Sequence, residues 1–172
     1  MRAMITPAER DFASRLMGEE RTERVFAYGS NLDVRQMLER CPSAVPLGAA
    51  VLPRVRLTFA GSSARWGGGV AGVELAPKAS LHGVVYRVSS SDLLELDLYE
   101  GAPHVYMRVR SQPRYLATGR FDVAHVYILR RGISAKAPPG PLYVKMIERG
   151  YEHHGLPVRS LREAISRARA TR

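Results

Sequence analysis

The sequence predicts a mixed α/β (α+β) domain: a small, curled, mostly antiparallel sheet with flanking helices. Three observations carry that reading. Strand-like apolar runs recur from residue 25 to residue 129, and only a few helical segments interrupt them. The order of elements does not alternate strictly as strand–helix–strand, which a parallel sheet requires. The chain has 172 residues, 45% of them hydrophobic, which suits a single domain with its own core.

The elements follow in chain order. Residues 1–22 read as an N-terminal helical extension. Thr6-Pro7-Ala8-Glu9 has the pattern of a capping box with Pro in the first turn, and Phe12, Leu16 and Met17 follow at helical spacing. The domain proper is expected over 23–158. Val25 to Tyr28 is a short apolar strand that breaks at Gly29-Ser30-Asn31. An amphipathic helix follows over 32–40, with Leu32, Met37 and Leu38 apolar and Asp33, Arg35, Glu39 and Arg40 polar. Pro42 stops it, because Pro disfavours helix at the preceding residue. Val45–Leu52 and Val55–Phe59 read as two strands separated by Pro53-Arg54. Residues 61–69 are glycine-rich and read as a loop, with Arg65 and Trp66 on its surface or at a pocket.

Val70–Leu75 reads as a strand ended by Pro77, and Leu81–Val88 as a strand buried on both faces. Residues 92–100 are ambiguous, since Leu94, Leu96 and Leu98 alternate as in a strand. Asp92 with Glu95 gives a cap pattern and Gly101 a natural stop, so a short helix is expected. Val105–Gln112 and Phe121–Leu129 are strands joined by a turn around Pro113 and Gly119. A loop covers 132–142, and Tyr143, Ile147 and Tyr151 then mark one face of a helix closed by Gly155-Leu156-Pro157. Ser160 with Glu163 forms a second capping box and opens a basic C-terminal helix over 159–172.

Composition narrows the functional classes. The formal net charge is +10, which makes nucleic acid the first partner to consider. The basic residues are mostly arginines spread along the chain, and no recognition-helix, zinc-finger or aromatic RNA-binding signature accompanies them. No specific nucleic-acid partner is therefore expected, and the surface suits small anionic ligands. No apolar run approaches the ~20 residues of a membrane helix, and no signal-peptide pattern opens the chain, so a cytoplasmic location is expected. The single cysteine, Cys41, reads as a structural thiol. His82, His104, His125, His153 and His154 lack metal-ligand spacing, so no metal is expected, and His153-His154 reads as an exposed helix end.

Two stretches can carry chemistry. Gly67 to Gly72 formally matches G-x-G-x-x-G, but that motif must follow a strand and open a helix. Here a strand follows it, so a dinucleotide site is rejected. The turn at Gly29-Ser30-Asn31 is different. Gly29 tolerates unusual backbone angles and Ser30 and Asn31 are cap formers. The turn presents free N–H groups at one spot, either as an ordinary capped turn or as a site for a carboxylate or oxyanion. No nucleophilic serine elbow is present, which leaves carboxylates and backbone donors. On the residues alone, Glu100 is either a solvated helix-end acid or a catalytic one, and Asp97 a cap or structural acid that could help raise the pKa of Glu100.

Tyr28-Gly29-Ser30-Asn31-Leu32 after Val-Phe-Ala resembles the glycine loop of the γ-glutamylcyclotransferases, the AIG2-like superfamily. Further segments match in order: Gly68-Gly69-Val70-Ala71, Gly83-Val84-Val85-Tyr86, Leu96 to Gly101 followed by Tyr106, Ala137 to Tyr143, and Gly155-Leu156-Pro157. The resemblance covers roughly residues 24–158. It implies a β-barrel-like sheet with a pocket at one end and an enzyme that needs no cofactor. It implies conversion of a γ-glutamyl-amino acid or γ-glutamylamine into 5-oxoproline and the free amino acid or amine. By resemblance Glu100 is the general acid/base. The segment Val25, Phe26, Ala27, Tyr28, Gly29, Ser30 and Asn31 holds the small-molecule substrate, with Tyr143 and Tyr106 as further pocket contacts that could equally be core tyrosines. Asn31 departs from the glutathione-specific branch, which has Leu at that position of the loop, and the γ-glutamylamine branch has Thr after Gly. The γ-glutamyl-amino-acid type is therefore expected, as is a homodimer. A non-enzymatic ligand- or protein-binding member of the superfamily and a nucleic-acid binder stand as the alternatives.

Overall fold

The structure, a computed structural model, describes residues 21–130 and 135–170. The expected N-terminal helix lies outside the described residues. Six strands form one sheet: β1 (Thr22–Ala27), β2 (Val45–Ser63), β3 (Gly68–Ser89), β4 (Tyr106–Ser111), β5 (Arg114–Tyr115) and β6 (Ala124–Leu129). Their spatial order is β4-β6-β1-β3-β2-β5. All pairings are antiparallel except that of β1 with β6, where Val25 lies opposite His125. The sheet is mixed and mostly antiparallel, as the sequence predicts. Among the described residues it is not a closed barrel: β4 and the two-residue β5 stand at its two ends and do not pair with each other.

The largest departure from the sequence reading is the hairpin of β2 and β3. Pro53-Arg54 does not separate two strands, and Pro77 does not end one. Both lie inside long strands at a shared irregularity. Leu52 pairs with Leu81 and Pro53 with Ser80, the pairing resumes at Val55 with Leu75, and Arg54 takes a φ of 65°. Residues 76–79 have no partner across from them there, so proline's missing N–H costs no ladder bond. The bend curls the sheet. The expected loop over 61–69 shrinks to a tight turn between Ser63 and Gly68.

β1 is central, and Val25 and Phe26 are almost wholly buried between β3 and β6. Helix α1 (Val34–Arg40) follows it after a 3-10 turn over Ser30–Leu32. Helix α2 (Ser90–Glu100) is capped by the Ser89 hydroxyl, which accepts from the Asp92 N–H, and not by the Asp92 and Glu95 pattern. The Asp92 carboxylate instead accepts from the Ser43 N–H at 2.8 Å. Leu93 and Leu96 face the core while Leu94 and Leu98 are exposed, so the apparent alternation of leucines was not a strand. Gly101 ends the helix at a φ of 60°.

Helix α3 (Pro141–His153) packs on the Ser30–Leu32 turn, with Tyr143, Ile147 and Tyr151 buried on one face. His154, just past it, is not an exposed end. Its Nε2 lies 2.9 Å from the Tyr86 hydroxyl and 3.2 Å from the Leu32 carbonyl, and burial lowers its pKa. Helix α4 (Val158–Arg169) begins before the expected capping box, at Pro157. Ser160 donates back to the Pro157 carbonyl and Glu163 pairs with Arg159. Its Leu161, Ala164, Ile165 and Ala168 stripe packs on β2. Cys41 is fully buried and burial pushes its thiol up to about 12, which fits a structural thiol. Among the described residues no helix is long and apolar enough to cross a membrane.

Candidate active site

The end of β1, the turn after it and the end of α2 converge on a small cleft of about 40 Å³. Every residue singled out for the site lines it: Val25, Phe26, Ala27, Tyr28, Gly29, Ser30, Asn31, Glu100, Tyr106 and Tyr143. Ala71 and Tyr127 complete the wall. Among the described residues no group of three or more His, Cys, Asp or Glu side chains is arranged to hold a metal.

The turn is built differently from a simple helix cap. The α1 helix is capped by Asp33, whose carboxylate accepts from the Gln36 N–H at 3.1 Å and pairs with Arg149 at 2.8 Å. Ser30 and Asn31 belong to the preceding 3-10 turn, where the N–H groups of Leu32 and Asp33 bond the Gly29 and Ser30 carbonyls. Among the described residues the N–H groups of Gly29, Ser30 and Asn31 have no protein acceptor. Gly29 sits where space is short: a Cβ there would stand 3.0 Å from Ala71 Cβ and 3.4 Å from the Tyr143 hydroxyl.

Asn31 is held from both sides. Its Oδ1 accepts from Arg40 Nη1 at 2.8 Å and from Gln36 Nε2 at 3.3 Å, so its Nδ2 faces Glu100 Oε1 at 2.8 Å. Gln36 also donates to the Ser30 hydroxyl at 2.7 Å. Glu100, the last residue of α2, is the one carboxylate on the cleft wall, and 14% of its side chain reaches solvent. Burial raises its pKa, while Arg40 and the Asn31 hydrogen bond pull it back part of the way. Asp97 takes no part in that shift. It accepts from the Tyr127 hydroxyl at 2.7 Å and pairs with Arg108 at 3.2 Å.

Four tyrosines form the rest of the wall. Tyr28 donates to the Tyr127 carbonyl at 2.6 Å. The Ala71 peptide is bracketed: its N–H donates to the Tyr143 hydroxyl at 3.2 Å, and its carbonyl accepts from Tyr106 at 2.7 Å. Burial pushes Tyr143 up to about 12 and raises Tyr28, Tyr106 and Tyr127 as well. All four are neutral near pH 7, which makes them hydrogen-bonding walls and leaves Glu100 as the one carboxylate among the residues that line the cleft. Tyr143 is backed by Trp66, with ring centroids 4.9 Å apart, and Arg65 lies over that indole. Neither Arg65 nor Trp66 reaches the cleft wall.

The glycine-rich turn holds Tyr143 in place. A Cβ on Gly69 would meet the Ala137 carbonyl at 2.2 Å, and one on Gly140 the Trp66 carbonyl at 2.0 Å. The two backbones touch, and the strand-borne G-x-G-x-x-G match is a packing seam. Sequence reasoning missed Arg40, Tyr127 and Ala71. Arg40 shares a helix face with Gln36 and Met37, so the i, i+4 spacing was visible, but a buried arginine has no signature apart from its partners.

Residues 25–145 match the family model described as gamma-glutamyl cyclotransferase, AIG2-like. The gamma-glutamylcyclotransferase of Mus musculus is 34% identical over 146 residues, covering 81% of this chain and 75% of that protein. The Homo sapiens protein of the same name is 32% identical over 144 residues, covering 81% and 76%. A solved structure titled gamma-glutamyl cyclotransferase superposes with a TM-score of 0.75 at 30% identity, covering 87% of this chain and 88% of that one.

Proposed function

This chain belongs to the gamma-glutamyl cyclotransferase, AIG2-like family, and on that premise we propose that it cyclises a γ-glutamyl compound to 5-oxoproline. The observation that carries the reading is the position of Glu100: one buried carboxylate with a raised pKa, set in a cleft also lined by Gly29, Ser30 and Asn31, whose N–H groups have no acceptor among the described residues. The substrate's α-amine attacks its own γ-carbonyl carbon. A ring C–N bond forms, the C–N bond to the leaving amine breaks, and no water is consumed.

The α-ammonium, with a pKa of roughly 8, must first lose a proton. Glu100 takes it, and a raised pKa makes it a stronger base than an exposed carboxylate. That proton then goes to the departing nitrogen, and Glu100 takes the second proton that the attacking nitrogen sheds on becoming the ring N–H and passes it to the released amine, which leaves as its ammonium. The Gly29, Ser30 and Asn31 amides supply fixed donors for the substrate carboxylate or the oxyanion. Both reacting groups belong to one molecule, so the tyrosine walls act by folding it into a near-attack shape. Orientation of that kind supplies on the order of 7–11 kcal/mol. Asn31 in the loop favours γ-glutamyl-amino acids as substrates, and the cytoplasm is the compartment we assign.

The test is 5-oxoproline release from a panel of γ-glutamyl-amino acids, γ-glutamylamines and glutathione, with Glu100→Gln beside the wild type. Loss of about 10²–10⁴-fold in the variant is expected. Release undiminished by the substitution would remove Glu100 from the chemistry. No release from any compound, with 5-oxoproline still raising the melting temperature, would favour a binding-only member.

A further inference from the structure

One buried cation in the site has no part in the reaction as described. Arg40 closes α1 and is 8% exposed. A guanidinium so placed needs acceptors, and its Nη1 finds two: Asn31 Oδ1 at 2.8 Å and Glu100 Oε1 at 3.3 Å. Its guanidinium carbon lies 5.2 Å from the centre of the Tyr99 ring. Asn31 Nδ2 donates to the same carboxylate oxygen. Both contacts on Glu100 therefore fall on Oε1, and among the described residues nothing donates to Oε2.

The other groups around Glu100 do not duplicate this cation. Tyr28 of β1, Tyr106 of β4, Tyr127 of β6 and Tyr143 of α3 are neutral. Asp97 and Tyr99 share its helix, and the nearby cation Arg108 of β4 is paired with Asp97. Cys41, beyond α1, is a neutral thiol. Among the described residues Arg40 is the one cation in contact with Glu100.

We propose that Arg40 is a positioning residue, which locks Glu100 Oε1 and the Asn31 amide into one unit and leaves Oε2 as the oxygen that takes and returns the proton. The inference rests on the reading of Glu100 as the base. Its physical content is separable from that reading. Burial alone favours the neutral acid, and Arg40 opposes it by contact. Arginine suits the task because its Nη1 carries two N–H groups held in the guanidinium plane, one for each acceptor, whereas a lysine ammonium is a compact point charge on a flexible stem. Asn31 depends on it too, because with the Arg40 donor gone the amide loses the stronger of the two bonds that set its orientation.

The experiment compares wild type with Arg40→Met, Arg40→Gln and Arg40→Lys. The first readout is the Glu100 side-chain carboxyl titration by ¹³C NMR, assigned by its disappearance in Glu100→Gln, with no substrate present. The second is the pH profile of kcat/KM for 5-oxoproline release. In Arg40→Met and Arg40→Gln the titration should move up by about one to three pH units, as expected for loss of an adjacent opposite charge, and the acidic limb of the profile should move with it. Arg40→Lys should return the titration most of the way while leaving kcat below wild type on the plateau. An unmoved titration in either folded neutral variant, or a rate loss equal at every pH, would overturn the proposal. If Arg40→Met does not fold, Arg40→Gln decides by the same criterion, and if neither folds, an unmoved titration in Arg40→Lys together with a wild-type plateau kcat overturns it. Should no γ-glutamyl compound turn over, the proposed reaction falls, and the NMR titration alone still judges the Arg40–Glu100 coupling.

Discussion

At the scale of single residues, the site is governed by how few groups can change charge in it. Glu100 is held above the ordinary carboxylate range by burial first, with Arg40 and Asn31 opposing. The folded protein therefore holds that proton more tightly than the unfolded chain. The contribution to stability is full below the unfolded pKa, near 4.5, and is lost as pH rises through the higher folded value. Denaturant unfolding of wild type and Glu100→Gln between about pH 4 and pH 8 should show the wild type losing stability relative to the variant as pH rises. A difference curve that is flat or rises would contradict the raised pKa. Gly29→Ala tests geometry without charge. Its Cβ would press on Ala71 Cβ at 3.0 Å, so the neighbour must give by a few tenths of an ångström, and kcat/KM should fall by less than the ~10²-fold that a 1 Å misplacement costs. The sequence motif pointed to Gly29 through backbone freedom, while crowding by residues 71 and 143 was not legible.

At the scale of elements, α2 carries Glu100 to the cleft, and two features hold it. Ser89 caps its start and Leu96 anchors its middle at 0% exposure. Ser89→Ala should cost about 1 kcal/mol and Leu96→Ala about 2–5 kcal/mol, measured by reversible unfolding. A Leu96→Ala loss under 1 kcal/mol would show that the helix is not fixed by that contact. The existence of this helix was legible from the Gly101 stop, but its cap was not. Ser89, Ser90 and Ser91 stand in a row, and only the position of the last β3 residue decides which serine caps. The prolines misled for a related reason. Pro53 and Pro77 are strand breakers in isolation, yet they meet at one bend of a hairpin whose partner strands supply the pairing on either side. That is a tertiary fact with no local signal. The same holds for Gly67 to Gly69, whose purpose depends on residues 137–140 arriving opposite them.

At the scale of the whole molecule, the net charge of +10 acts on anything anionic that approaches. For an anionic γ-glutamyl-amino acid, kcat/KM should fall several-fold as salt rises from about 0.02 M to 0.3 M, with kcat nearly unchanged. A salt-independent kcat/KM would mean the charge is remote from the entry path. Much of the cleft lining was legible at this scale, because the motifs at residues 25–31, 96–106 and 137–143 each bring residues to it. What escaped was Arg40 beside Glu100 and Tyr127 on the wall, which meet the expected residues only through space. The parts of the cleft are far apart in the chain. Tyr28 bonds the Tyr127 carbonyl across 99 positions, and β1 joins β6 by the one parallel pairing. The cleft therefore has no early version. A ribosome that has made β1, β2, β3 and α2 has made the loop, Ala71 and Glu100 but only part of the wall, which is complete only after Tyr106, Tyr127 and Tyr143 emerge with β4, β6 and α3. Chains dominated by such distant pairings fold in milliseconds to seconds. In refolding from denaturant, helical signal should return ahead of catalysis, and catalytic competence should arrive together with the last strand in a single late step.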